Sequence, residues 1–173
     1  EAEENSSSET DEAARPVSQQ RCGMTTGPAV SVCLCTFRRP DVLEDCLAAL
    51  CGQDCRRPFE LVVVDNDSAA SARQTVEVWS PRFADRGVPV RYAVEPRQNI
   101  ALARNRSVSM ATGRCVAFVD DDERPTSGWL SSLLATMFHY EADGVFGPIV
   151  SVAPEGFPDW LARSSLFARP RRG

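Results

Sequence analysis

Four consecutive carboxylates, Asp120-Asp121-Asp122-Glu123, follow an apolar run that ends at Val119, and a second acidic group, Asp65-Asn66-Asp67-Ser68, follows a run that ends at Val64. Neighbouring carboxylates repel one another, so such a cluster stays ionised more easily beside a divalent cation or several hydrogen-bond donors. The only histidine, His139, is remote in sequence from both groups. Oxygen-only ligation favours a hard ion, Mg²⁺ or Mn²⁺, which keeps water and shares its shell with phosphate oxygens. An ion of that kind stabilises negative charge on a departing phosphate, which carboxylates alone would oppose. A solvated acidic turn is the plainer reading of an isolated run. Two acidic groups, each closing an apolar run, shift the balance toward a site.

Such groups need strands to present them. From Val30 onward, short apolar runs alternate with helical periodicity, which predicts an α/β fold with a mostly parallel central sheet and helices on both faces. Strands are expected at Val30 to Thr36, Phe59 to Val64, Val88 to Val94, Cys115 to Val119 and Val145 to Val152. Helices are expected from Pro40 to Gly52, from Ala70 to Trp79, from an Asn99 cap to Met110 with Gly113 as the stop, and from near Ser127 onward. The last would bury Trp129, Leu130, Leu133, Leu134 and Met137. Cys33 and Cys35 share one strand face and read as small core hydrophobes.

Ligands of open α/β sheets bind beyond the carboxyl ends of the strands. Those ends carry Thr36 to Arg38, Asp65 to Asp67, Glu95 to Asn99 and Asp120 to Glu123. Neither the G-x-G-x-x-G fingerprint nor a phosphate loop ending in Gly-Lys-Ser/Thr is present, which removes the main support for dinucleotide or nucleoside-triphosphate binding.

The 173 residues, 43% hydrophobic and 25% charged, suit one compact soluble domain with tails, and no apolar run approaches the length of a membrane span. Six of the 24 acids lie in the first twelve residues, leaving 18 acids against 19 bases, so the body is near neutral and the net charge of −5 implies no particular partner. Nothing in this balance points to nucleic acid. All 19 basic residues are Arg, the better fork for phosphate where a site needs one. Seven cysteines without a regular framework suggest reduced thiols in a cytoplasmic protein. Cys46, Cys51 and Cys55 lack the paired spacing of a zinc site. Residues 1–28 read as a disordered acidic arm, 29–153 as the folded domain and 154–173 as an irregular Pro/Arg-rich tail.

Taken in order, Val30-Ser-Val-Cys-Leu-Cys-Thr-Phe-Arg-Arg-Pro, Leu61-Val-Val-Val-Asp-Asn-Asp-Ser, Asn99-Ile-Ala-Leu-Ala-Arg-Asn and Phe118-Val-Asp-Asp-Asp-Glu resemble the amino-terminal half of a family 2 glycosyltransferase. The resemblance runs from about Pro28 to Val152. It implies a GT-A fold that binds a nucleotide-diphosphate sugar with Mg²⁺ or Mn²⁺ and transfers the sugar to a saccharide or lipid-linked hydroxyl, with inversion, in cell-envelope or exopolysaccharide synthesis. Thr36 and Phe37 would line the base pocket, and Asp65 would accept hydrogen bonds from nucleobase or ribose. Asp120 and Asp122 match the outer positions of the family's D-x-D motif, the first near the ribose and the last on the metal. Asp121 takes the variable middle position.

Arg104 and Arg38 are candidates for phosphate or ribose oxygens, against the plainer reading of surface arginines paired with neighbouring acids. Asn99 would both cap its helix and reach the donor. No acid after Glu141 matches the family's general base, which is expected beyond the end of this chain, so the sequence reads as a fragment. Two rival readings are a non-catalytic nucleotide-sugar-binding module and a metal-dependent phosphoryl-transfer domain. A phosphoryl-transfer receiver would need a Lys, which this chain lacks, and the phosphatase type needs acids after the first strand, where Thr36-Phe37-Arg38 stands. The basic end, Arg169-Pro170-Arg171-Arg172, is expected either to approach an anionic membrane face or acceptor, or to remain a solvated tail.

Overall fold

The computed structural model describes residues 27–152 together with Gly156 and Pro158. Residues 1–26 of the acidic arm expected over 1–28, and the Arg-rich end, fall outside the described residues. Eight elements alternate along the chain: β1 (Val30–Thr36), α1 (Pro40–Cys51), β2 (Phe59–Asp65), α2 (Arg73–Ala84), β3 (Val90–Val94), α3 (Ile100–Met110), β4 (Cys115–Asp120) and α4 (Trp129–His139). The four strands form one parallel sheet in the order β3-β2-β1-β4.

The two central strands are buried along their whole length, which is why VSVCLCT and FELVVVD are mostly apolar rather than alternating. Val30, Val32 and Leu34 face a core shared with α1, α2 and α4, whereas Cys33, Cys35, Val62 and Val64 face Ala103 of α3. Helices therefore cover both faces, as an all-parallel sheet requires. Leu130 and Leu134 are the buried residues of α4, with Trp129 and Met137 packing at the margin of the same core.

Two expectations are corrected. No residue of the expected strand at 145–152 pairs with the sheet, and Phe146 is 99% exposed. A strand exists only through its ladder, and this segment has no partner among the described strands. The helix expected from Ala70 begins instead at Arg73, because Ala70 is in the left-handed region at φ 55° and the chain turns there around Asp65. It runs on past Trp79 and Pro81 because Phe83, fully buried, anchors its last turn.

One buried charge holds the sheet together far from the strand ends that interest us. Glu60 Oε1 accepts from the Ser31 hydroxyl at 2.6 Å and from the Thr112 amide and hydroxyl at 2.6 and 2.7 Å, while Oε2 meets Arg91 Nε at 3.1 Å. Burial pushes the Glu60 carboxyl up, but these donors outweigh it and hold it below the ordinary 4.5. The folded chain then binds this proton less readily than the unfolded one. Glu60 thus contributes stability that is present above pH 4.5 and lost as pH falls through its lowered folded value. Urea midpoints measured from pH 7 to pH 3 should fall across that window, and Glu60→Gln should flatten the fall. An equally steep fall in the variant would refute the assignment.

Candidate functional site

The strand order reverses between β1 and β4, because β1 leads by way of α1 to β2 on one side while β4 pairs on the other. Such a switch point opens a crevice at the carboxyl ends of the strands. Here that crevice is a shallow cleft of about 320 Å³, lined by Thr36, Phe37, Arg39, Asn66, Gln98 and Asn99 among others.

The acidic run after β4 is sorted by the pleat and by two arginines. Asp121 points inward and is 1% exposed, whereas the side chains of Asp120 and Asp122 are 56% and 58% exposed. Thr36 Oγ1 donates to Asp121 Oδ2 at 2.7 Å, and Arg39 Nη2 bonds Asp121 Oδ1. The same guanidinium reaches Asp122 Oδ2 through Nη1 at 3.3 Å. On α3, Arg104 Nη2 lies 2.9 Å from Asp120 Oδ1. Burial, the largest influence, pushes the Asp121 carboxyl up, against the pull of Thr36 and Arg39. The outer two carboxylates are the solvent-exposed ones.

The loop after β2 is built on Asp65. With no exposure at all, its Oδ1 accepts from the Asp67 amide at 2.9 Å and its Oδ2 from the Ala72 amide at 2.7 Å and the Tyr92 hydroxyl at 3.0 Å. Asn66 then ties this loop to the one between β3 and α3. Its amide donates to the Glu95 and Arg97 carbonyls at 2.9 and 2.7 Å, and its oxygen accepts from the Asn99 amide at 2.9 Å. Asn99 caps α3 as expected, accepting from the Ala101 and Leu102 amides.

The structure thus brings Thr36, Phe37 and Asn99 to one cleft and sets Asp120, Asp122 and Arg104 beside it. Three of the expected site residues are already bonded within the protein. Asp65 is buried and accepts from three protein donors, so its carboxylate braces the loop after β2. Asp121 faces the interior, where it is bonded to Thr36 and Arg39. Arg38, at φ 53°, turns to Asp67 with Nε 3.2 Å from Oδ2, which matches the surface ion pair set against its phosphate role. That guanidinium holds the Asp67 carboxyl below the ordinary range.

Arg39, Asn66 and Gln98 were not singled out by sequence reasoning. Arg39 had one usable signal, its position immediately before Pro40 at the start of α1, which aims it at the strand ends. Of the cysteines among the described residues, Cys35 alone lines the cleft. Burial pushes Cys35 up to about 11 and Cys46 up to about 12, and all six cysteines among the described residues are free, as inert core thiols would be.

Among the described residues no three His, Cys, Asp or Glu side chains gather into a metal cage. The exposed Asp122 carboxylate nonetheless suits a hard divalent ion such as Mg²⁺ or Mn²⁺, because these ions are commonly held by one or two carboxylates with water and substrate phosphates completing the shell. Among the described residues no helix is long and apolar enough to cross a membrane.

Comparison with known proteins locates this arrangement. The model of the family described as Glycosyl transferase family 2 matches residues 31–172. The succinoglycan biosynthesis protein ExoM of Rhizobium meliloti is 35% identical over 140 residues, which is 80% of this chain and 44% of that protein. The putative teichuronic acid biosynthesis glycosyltransferase TuaG of Bacillus subtilis is 28% identical, over 76% of this chain and 50% of its own length. The chain spans about half the length of the curated relatives it matches.

Among solved structures, the mannosyltransferase PcManGT of Pyrobaculum calidifontis, in complex with GDP-Man and Mn²⁺, superposes with a TM-score of 0.57 at 27% identity, covering 64% of this chain and 32% of that one. TarS of S. aureus superposes with a TM-score of 0.56 at 23% identity, over 69% and 37% of the two chains. The fold is the GT-A fold of these enzymes.

Proposed function

We propose, because the chain belongs to glycosyl transferase family 2, that it forms the donor-binding half of an enzyme that moves a sugar from a nucleotide diphosphate to an acceptor hydroxyl. The observation that carries this reading is the pair of exposed carboxylates, Asp120 and Asp122, held by Arg104 and Arg39 beside the cleft at the β1/β4 switch point. Family membership displaces the phosphoryl-transfer alternative.

In the reaction, the acceptor oxygen bonds to the anomeric carbon as the bond from that carbon to the diphosphate breaks, with inversion. The hydroxyl proton passes to a general base that we assign to no residue of this chain. A divalent cation held by Asp122, with Asp120 near the ribose, would stabilise the charge developing on the diphosphate. Thr36, Phe37 and Asn99 line the space for the nucleoside. Arg104 stands ready for ribose or phosphate oxygens, since a guanidinium matches either with two parallel donors.

A donor with GDP or UDP is the class bound by the solved relatives, and exopolysaccharide or cell-envelope synthesis is the setting that the curated relatives' names suggest; we place the reaction in the cytoplasm, at the membrane face, as part of the same proposal. The acceptor is then a saccharide or a lipid-linked hydroxyl.

Calorimetric titration with UDP, GDP and dTDP, first with Mn²⁺ and then with EDTA, tests the reading. One nucleotide should bind with Mn²⁺ and lose at least about tenfold in affinity with EDTA or in Asp122→Ala, the scale of a charge-assisted contact. Asp122 is exposed, so the variant should melt like the parent. A folded parent that binds none of the three nucleotides would overturn the proposal. Binding of a donor sugar with no transfer to any acceptor would favour a binding module.

A further inference from the structure

Asp122 is already engaged in the free protein. Arg39 Nη1 stands 3.3 Å from its Oδ2, while Nη2 of the same guanidinium is bonded to the buried Asp121. The two contacts differ in kind. Asp121 is 1% exposed and fixed by Thr36, so that bond anchors the arginine, whereas the contact with Asp122 is long and lies between side chains 49% and 58% exposed. An exposed ion pair of that kind is weak. Arg39 also lines the cleft. Three other acids at the strand ends have arginines of their own: Asp120 has Arg104, Asp67 has Arg38, and Glu95 has Arg97 and Arg106.

We propose that Arg39 is a counter-ion switch for donor binding. In the free protein its fork neutralises Asp122 from a base on Asp121. When a nucleotide diphosphate and a divalent cation arrive, Arg39 releases Asp122 to the cation and turns into the cleft toward the diphosphate. The proposal rests on the donor-site reading above and assigns Arg39 as a donor-binding residue within it. The driving chemistry is the exchange of a weak, solvated carboxylate contact for a diphosphate, which a planar guanidinium binds through two parallel bonds. A cation arriving alone finds Asp122 already occupied and gains little. The diphosphate gives the displaced arginine a better partner, so each ligand strengthens the binding of the other, as linkage requires.

The test measures Mn²⁺ binding without nucleotide, by electron paramagnetic resonance of the free ion, on the whole chain and on Arg39→Gln and Arg39→Lys. Titrations with UDP, GDP and dTDP at saturating Mn²⁺ run in parallel. Mn²⁺ alone should bind both variants about three- to fivefold more tightly, the worth of one exposed ion pair removed. Nucleotide diphosphate should bind them about tenfold more weakly. Arg39→Lys keeps a charge beside Asp121 but lacks the fork to reach Asp122 as well, so it supplies the result should Arg39→Gln fold poorly. A merely structural arginine would weaken both affinities together when removed. Mn²⁺ alone binding the Lys variant no better than the parent overturns the switch. A parent that binds no nucleotide diphosphate sinks the donor-site reading instead, while the Mn²⁺ comparison still decides whether Arg39 occupies Asp122.

Discussion

Asp65→Ala is expected to destabilise the domain by about 3 to 5 kcal/mol, because it leaves several buried donors unpaired, each worth about 1 to 3 kcal/mol. The donors are the Asp67 and Ala72 amides and the Tyr92 hydroxyl, all directed at a carboxylate with no exposure. Domains are stable by only about 5 to 15 kcal/mol, so this is a large share of the total. Binding at the cleft should fail with it, since the loop that Asp65 organises carries Asn66, which lines the cleft and ties β2 to the segment before α3.

Two companion variants apportion the effect. Tyr92→Phe removes one donor together with its need for a partner and should cost about 1 kcal/mol. Asp65→Asn turns an amide nitrogen toward groups that themselves donate and should fall between the two. Urea unfolding of all three decides. If Asp65→Ala unfolds at the same urea concentration as Tyr92→Phe, the carboxylate is not the anchor of this loop.

Gly113→Ala should cost about 3 kcal/mol or more, at the upper end for overpacking, because the atoms in the way are the backbone of the central strand. A Cβ at this position would lie 2.5 Å from Ser31 N and 2.5 Å from Val30 C, with the Ser31 hydroxyl oxygen at 2.9 Å. The close approach is itself functional for the fold, since the Gly113 amide donates to the Ser31 hydroxyl at 2.8 Å while the adjacent Thr112 amide reaches Glu60. Either β1 or the α3–β4 connection must move, and β1 is buried on both faces. Gly128→Ala is the matched control, with its nearest neighbours 3.9 Å away. Thermal melts should show a drop of many degrees for Gly113→Ala and little change for Gly128→Ala. Equal melting temperatures would show that the connection gives way more easily than the packing implies.

Gly113 also shows where sequence reasoning reaches its limit. Its position after Met110 makes it look like a helix stop, yet the cap of α3 is Ala111 and the glycine is required by the strand beside it. That requirement comes from residues 82 and 83 positions earlier in the chain, and no local pattern encodes it. The elements that were legible are those whose cause is local: the mostly apolar runs of β1 and β2, the helical spacing of Leu43, Cys46, Leu47 and Leu50, and the Asn99 cap. The run at 145–152 looked equally good, but a strand needs a partner, and pairing is a long-range property.

The acidic site divides along the same line. Its location at the strand ends, its oxygen chemistry and its kinship with a family follow from residue order alone, because the strand that precedes Asp120 must deliver it to the carboxyl edge of the sheet. Which carboxylate faces inward, and which arginine holds each one, is decided only when β1 pairs with β4 and brings Thr36 and Arg39 against Asp121. Hydrogen bonds and ion pairs between segments more than 80 residues apart depend on distances that the fold sets. For that reason only the fold decides that Asp65 and Asp121 are buried against protein donors, and that Arg39, not Arg38, reaches Asp121 and Asp122.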